Sequence, residues 1–171
     1  MTVTDHPRSR ISAGLLMFHR KGSALEVLLA HPGGPFFQRK DEGVWTIPKG
    51  EALPGEDLLA RAQTEFEEEL GIPPPACAKA TAGRSGNWIE LGSIKQRGGK
   101  TVHVWAFEGN LPGLFQLRSN KFEMEWPPRS GQLKQFPEID RAEFFADEIA
   151  RRKINPAQVA LLDRLRAALG E

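Results

Sequence analysis

One stretch, GEDLLARAQTEFEEELGIPPP from Gly55 to Pro75, constrains this chain more than any other. It consists almost throughout of good helix formers, and Gly71 is placed as a C-terminal stop. Pro73, Pro74 and Pro75 forbid continuation, because proline has no N–H to donate and its ring clashes with the preceding turn. Glu56 and Asp57 lie at the N-terminal end, where the helix dipole favours negative charge. At about 100° per residue, Leu59, Ala62, Phe66 and Leu70 fall on one apolar stripe that can pack on a core. Glu65, Glu68 and Glu69 share an adjacent face, with Arg61 one turn earlier, while Thr64 and Glu67 project away from the stripe.

Like charges at these spacings repel, so three carboxylates on one face destabilise a helix unless a cation or hydrogen-bond donors answer them. The pattern by itself also suits a solvated acidic face. A hard divalent ion such as magnesium is the chemical alternative, since it binds a few carboxylates, keeps several waters and takes further ligands from substrate phosphates. Such an ion draws charge from phosphate oxygens and makes hydroxide available near neutral pH.

Around this helix the patterns are mostly those of strands. ISAGLLMFHR and ALEVLLAH read as a hairpin turned at RKGS, and HPGGPFFQRKDEG as an irregular loop in which Phe36 and Phe37 are unusually apolar. VWTIP is short and extended, and KGEALPGE reads as loop. NWIELGSIKQ and KTVHVWAFEG make a second hairpin across RGG. FEMEW is extended within the otherwise hard-to-place residues 111–135, and FPEIDRAEFF leads from a last strand into a helix. The final NPAQVALLDRLRAALGE carries an N-cap at Asn155, Pro156 at the first helical position and an apolar stripe of Val159, Leu162, Leu165 and Leu169. The expected class is α/β (α+β), with a mixed sheet between helices.

The chain has 171 residues, enough for one core that buries roughly 70% of the unfolded surface. We expect a polar lead over residues 1–10 and a single domain over 11–171. Lys and Arg number 23 against 22 Asp and Glu, so nothing in the balance points to nucleic acid or a membrane surface. Cys77 stands alone and excludes an internal disulfide or a multi-cysteine zinc site; it reads as an inert small residue. No apolar run approaches the ~18 residues of a membrane span, and a cytoplasmic location is expected. A homodimer stays open.

Taken together, Gly50, five residues, Glu56, seven residues and then Thr64-Glu65-Phe66-Glu67-Glu68-Glu69-Leu70-Gly71-Ile72 closely resemble the box of the Nudix hydrolases. Every fixed position matches except one, where Thr64 stands for the family's arginine. The resemblance implies an α/β/α sandwich and hydrolysis of a nucleoside diphosphate linked to another group by a metal-activated water. It implies Mg2+ or Mn2+ held by Glu68 and Glu69, with Glu65 in the cluster or orienting the water, and a backbone carbonyl of Lys49 or Gly50 completing the set. Glu56 would support the loop and helix, and the Lys49 ammonium would meet a phosphate.

Threonine cannot reproduce the planar, bidentate donor that buttresses the catalytic glutamate in the family. Arg61, four residues before Glu65, is the nearest substitute by sequence. The rival reading is a nucleotide-binding sensor without activity. WTIPKGEALPGE is similar to the lead-in of enzymes acting on dinucleoside polyphosphates such as diadenosine tetraphosphate, and also of those acting on diphosphoinositol phosphates. Nucleoside triphosphates and nucleotide sugars remain alternatives. Without tyrosine, stacking on a base would fall to Trp126, Phe36 or Phe37, with Lys121 and Arg129 near phosphates. Glu123 and Glu125 are candidates for a further acidic group outside the box. His6, His19, His31 and His103 are scattered singly and read as structural or exposed, with facing substrate as the alternative for His31, which ends a strand before the glycine loop.

Overall fold

A computed structural model describes residues 10–74 and 88–171. Cys77, Pro75 and the polar lead before Arg10 lie outside the described residues. The first hairpin forms as its sequence suggests, with β1 (Ile11–Lys21) and β2 (Ala24–Pro32) joined at Gly22, whose φ of 64° is one that glycine adopts without strain. β4 (Ile89–Lys95) and β5 (Thr101–Glu108) make the second hairpin across Gly98 and Gly99. Lys49–Glu51, expected as loop, is instead a three-residue strand, β3, paired antiparallel with β1 through Gly14↔Lys49, Ala13↔Gly50 and Ser12↔Glu51. β8 (Ile139–Ala146) pairs antiparallel with β2. The resulting mixed sheet runs β4-β5-β1-β2-β8, with β3 beside β1 and the β1–β5 pair parallel.

The pleat sorts the core into two layers, since successive side chains of a strand point to opposite faces. Ala13, Leu15 and Met17 of β1 pack with Leu28, Phe107 and the stripe Ala62, Phe66 and Leu70 of α1 (Leu58–Leu70). Leu16 and Phe18 of the same strand pack on the other face with Val102, Val104, Trp45 and the apolar residues of α2 (Asp147–Lys153) and α3 (Val159–Ala168). A sheet buried on both sides has no solvent face, which is why β1 reads as a nearly continuous apolar run. In α3 the buried residues are Leu161, Leu162 and Leu165, with Val159 and Leu169 partly buried, so the stripe is one residue wider than its spacing suggests.

Helix α1 begins one residue later than its composition suggests. Asp57 is the cap, its carboxylate accepting from the Ala60 amide at 2.9 Å, and Gly71 closes the helix in the left-handed region at φ 75°. Glu56 therefore lies before the helix. Asn155 caps a short 3-10 turn, Pro156–Gln158, that leads into α3. Residues 111–135, hard to place by pattern, supply β6 (Lys121–Glu125), which pairs with β7 (Leu133–Pro137) in a separate two-stranded hairpin standing off the main sheet.

Candidate functional site

β3 lies close against the acidic side of α1. A Cβ on Gly50 would stand 2.0 Å from Glu65 Cδ, so any larger residue here requires the end of the Glu65 side chain to move. The next contact along the strand pair is the Lys49 amide, which hydrogen-bonds to Glu69. β3 is in turn fixed to β1 by its ladder and by the Ala52 amide donating to Ile11 O at 3.0 Å.

Thr64, at the position of the missing arginine, is exposed and donates its hydroxyl to the Ala60 carbonyl at 3.1 Å within its own helix. Arg61 instead supplies a guanidinium to Glu65, with Nη1 donating to Oε1 at 3.2 Å. The same guanidinium donates through Nε at 2.9 Å and Nη2 at 2.5 Å to Glu56 Oε1, while Glu56 Oε2 accepts from the Leu53 amide at 2.8 Å. Loop, Glu56, Arg61 and Glu65 thus form one continuous chain of hydrogen bonds. The Arg61 bonds and the Leu53 amide hold Glu56 below the usual carboxylate range.

Burial works the other way on the two inner glutamates. Glu65 is raised by burial, an effect that the Arg61 hydrogen bond offsets only in part and that the charges of Glu68 and Glu138 reinforce. Glu69 is pushed up to about 8, again chiefly by burial, with the Lys49 ammonium pulling it down and Glu65 and Glu138 pushing it up. Burial also depresses the Lys49 ammonium, against the favourable charge of Glu69. Glu69 Oε2 is buried and has no hydrogen-bond partner. Such an atom in a native fold calls for a partner that the chain itself does not supply.

Among the described residues no three histidine, cysteine, aspartate or glutamate side chains stand ready-grouped around a metal. The donor chemistry still suits a hard divalent cation: an orphaned buried carboxylate oxygen, a second half-buried carboxylate beside it, and carbonyl-bearing backbone at Lys49 and Gly50. Glu68 and Glu67 are exposed, so Glu68 borders the pair from solvent.

The acidic group outside the box is not where the sequence suggests. Glu123 and Glu125 are exposed on β6, and Glu125 Oε1 accepts from the Gly131 amide in its own hairpin at 3.1 Å. It is Glu138, at the β7–β8 junction, whose charge acts on both Glu65 and Glu69. No spacing could have singled it out, because it reaches the site only through the sheet. His31 takes the structural role that is one of its two expected readings. It is wholly buried, with Nε2 donating to the Lys40 carbonyl at 2.7 Å and Nδ1 meeting Asp140 Oδ1 at 2.7 Å, so it ties the glycine loop to β8 and faces no substrate.

Two of the aromatic candidates meet. Phe36, 57% exposed, stands edge-on to Trp126 with ring centroids 5.6 Å apart. The Gly33 amide, in the same loop as Phe36, donates to the Glu138 carbonyl at 2.9 Å, while Trp126 lies beyond the Glu125↔Leu133 end of the β6–β7 hairpin. Phe37 is covered instead by Lys40, whose Nζ lies 5.5 Å from the ring centroid. Lys121 pairs opposite Pro137, next to Glu138, whereas Arg129 sits in the turn at the far end of the hairpin with a φ of 63°.

The mixed sheet between helices and the box residues on β3 and α1 agree with what comparison with known proteins finds. The NUDIX domain family matches residues 8–165, and the chain belongs to that family. An RNA pyrophosphohydrolase of Caulobacter vibrioides is 33% identical over 154 residues, covering 81% of each chain. Among solved structures, an Ap4A hydrolase of C. elegans in a binary complex is 23% identical at a TM-score of 0.63, over 93% of this chain and 98% of that one. The NUDIX domain of Shewanella oneidensis NrtR, complexed with ADP ribose, is 13% identical at a TM-score of 0.60, over 99% of this chain and 94% of that one. These two likenesses are likenesses of fold.

Proposed function

We propose that this Nudix pyrophosphohydrolase splits a P–O–P bridge by attack of water on phosphorus, with a dinucleoside polyphosphate such as diadenosine tetraphosphate as its leading substrate. The observation that carries the reading is the buried, partnerless Oε2 of Glu69 beside a Glu65 that Arg61 holds in place. The Arg61 bond to Glu65 supports the enzymatic reading over a nucleotide-binding sensor, since it supplies a donor where Thr64 cannot.

Glu65, Glu68 and Glu69, with the Lys49 or Gly50 carbonyl, are the groups that would hold Mg2+ or Mn2+; bound there, the ion supplies charge neutralisation and polarises phosphate oxygens. The chain's own residues do the rest. Arg61 fixes the Glu65 carboxylate through Nη1, and Glu56 fixes Arg61, so the donor of the hydrogen bond is itself anchored. Glu138, whose charge bears on Glu65 and Glu69, is the group proposed to orient the attacking water and take its proton. Lys49, whose charge Glu69 sustains against burial, meets the phosphate charge that grows on the departing group. Phe36 and Trp126 offer a face for a base, and Lys121 lies on the path between that rim and Glu138.

Support for the substrate comes from two directions: the lead-in WTIPKGEALPGE, and fold likeness to the C. elegans Ap4A hydrolase. The relative named RNA pyrophosphohydrolase favours a second reading, in which the bridge cleaved is one carried on RNA. A panel of diadenosine tetraphosphate, nucleoside triphosphates, ADP ribose, a nucleotide sugar, a diphosphoinositol phosphate and a 5′-triphosphorylated RNA, with products identified, separates them. Fastest turnover of the dinucleoside polyphosphate supports the first reading, and fastest turnover of the RNA supports the second. No turnover of any of them, with nucleotide binding retained, would leave the sensor.

A further inference from the structure

Glu138 carries its charge to the site from a junction between two strands, and something must hold that junction at a fixed distance from α1. The strap Arg118–Asn120 makes that link. At one end its amides read the last turn of α1: Arg118 N–H donates to Leu70 O at 3.3 Å and Asn120 N–H to Glu68 O at 3.2 Å. Gly71 gives the strap its close approach, since a Cβ there would lie 2.5 Å from Arg118 Cβ. At the other end the strap grips both sides of the peptide at Glu138. The Glu138 amide donates to Asn120 O at 2.8 Å, and the next amide, Ile139 N–H, donates to Ser119 Oγ at 3.0 Å. Ser119 Oγ also donates to Asn120 O at 2.8 Å, the same carbonyl that Glu138 uses, which closes a small ring of hydrogen bonds. The Glu138 carbonyl is held from the opposite side by Gly33 N–H at 2.9 Å.

We propose that Ser119 is a positioning residue for the reaction, its hydroxyl clamping the β7–β8 junction to the end of α1 so that the Glu138 carboxylate faces Glu65 and Glu69. Every other strap bond that reaches this junction comes from backbone and survives any substitution, so the hydroxyl is the one side-chain contribution to it. Ile139 is 3% exposed, and water has little access to its amide when the hydroxyl is removed. The junction then shifts to find another acceptor, and Glu138 shifts with it. Groups that orient a ligand-bearing residue in this way typically change metal affinity or turnover by about 10- to 100-fold when removed. The inference rests on the reading that Glu138 belongs to the acidic group.

Five forms of the full chain test it: wild type, Ser119→Ala, Ser119→Thr, Glu138→Gln and the Ser119→Ala/Glu138→Gln double variant, each followed by Mn2+ titration read by electron paramagnetic resonance and by steady-state turnover of diadenosine tetraphosphate. The expected result for Ser119→Ala is Mn2+ affinity weakened about 10-fold and kcat lowered by a similar factor, with KM within about 2-fold. Ser119→Thr keeps the hydroxyl and returns both to within about 3-fold of wild type. In the Glu138→Gln background Ser119→Ala adds no further loss of Mn2+ affinity, a comparison that still reads out if the single variant is marginally folded. Wild-type affinity and kcat in Ser119→Ala beside a weakened Glu138→Gln would overturn the clamp alone. Wild-type affinity and kcat in Glu138→Gln would overturn the acidic-group reading beneath it, and additive losses in the double variant would assign Ser119 a purely structural part.

Discussion

Arg61 Nη1 donates to Glu65 Oε1 at 3.2 Å from one helical turn away, and the same side chain is pinned by two bonds to Glu56. The family's arginine stands directly before the catalytic glutamate in sequence, and here that neighbour is a threonine bonded to its own backbone. The guanidinium has in effect moved three residues earlier, to the preceding turn on the same face of the helix. A guanidinium donor to Glu65 is kept even though the sequence position is not, but through one bond rather than two, the other donors going to Glu56.

Arg61→Ala is therefore expected to lower kcat by about 10- to 100-fold with little change in KM, as loss of an orienting partner does. Lysine cannot restore two parallel donors, so Arg61→Lys recovers only part. Thr64→Ala removes an exposed hydroxyl and is expected to leave kcat within about 2-fold and stability within about 0.5 kcal/mol. Equal losses in the Arg61 and Thr64 variants would show that Arg61 has no special role.

Gly50 and Glu65 make a second prediction. A methyl group at Gly50 falls on the Glu65 carboxylate, so Gly50→Ala is expected to displace the end of that side chain relative to Arg61. We expect turnover to fall by about 100-fold or more, with a stability loss of about 1–3 kcal/mol from overpacking. A Gly50→Ala protein with wild-type turnover would mean that Glu65 is not the group in use.

Glu69 gives a pH dependence of defined sign. Its folded value of about 8 lies above the free value of 4.5, so between them the folded chain keeps a proton that the unfolded chain has lost. Stability is then full below pH 4.5 and falls as pH rises towards 8, by at most about 1.4 kcal/mol per unit for this group. A divalent cation needs the ionised carboxylate and reverses the loss, so Mg2+ or Mn2+ should raise Tm more at the top of that window than at the bottom. Thermal melts across the window, with and without metal, check both parts. A metal effect independent of pH would contradict the assignment.

Much of this was legible in the sequence where a pattern repeats. Ala62, Phe66 and Leu70 recur at the helical period and are buried as a set, and the nearly continuous apolar run of β1 follows from its two buried faces. The box positions were legible because their spacing lies within one strand, loop and helix. β3 was not, since three residues of Lys, Gly and Glu show no alternation, and only pairing with Gly14 makes them a strand. β7 reads as LKQFP and is largely exposed, so no buried face imposes a period on it. Glu138 and Ser119 were hidden for a different reason. They act across the fold, and their partners Glu69, Asn120 and Gly33 are brought to them by sheet order rather than by sequence spacing. His31 looked available because it ends a strand, but the bond to Asp140 depends on the β2–β8 register.

The aromatic rim makes a substrate prediction. Phe36→Ala and Trp126→Ala should each raise KM for a dinucleoside polyphosphate by roughly 5- to 100-fold, the loss of one stacked base, while inorganic triphosphate turnover is unaffected. Equal effects on both substrates would place the rim outside the binding surface.

The most direct test of the central claim is turnover of diadenosine tetraphosphate with Mg2+ or Mn2+ by wild type and by Glu69→Gln, with both proteins checked for equal folding. We expect metal-dependent cleavage by wild type and a loss of at least about 100-fold in Glu69→Gln, which keeps the shape but not the charge that the buried oxygen offers. Turnover by Glu69→Gln at the wild-type rate would contradict the account.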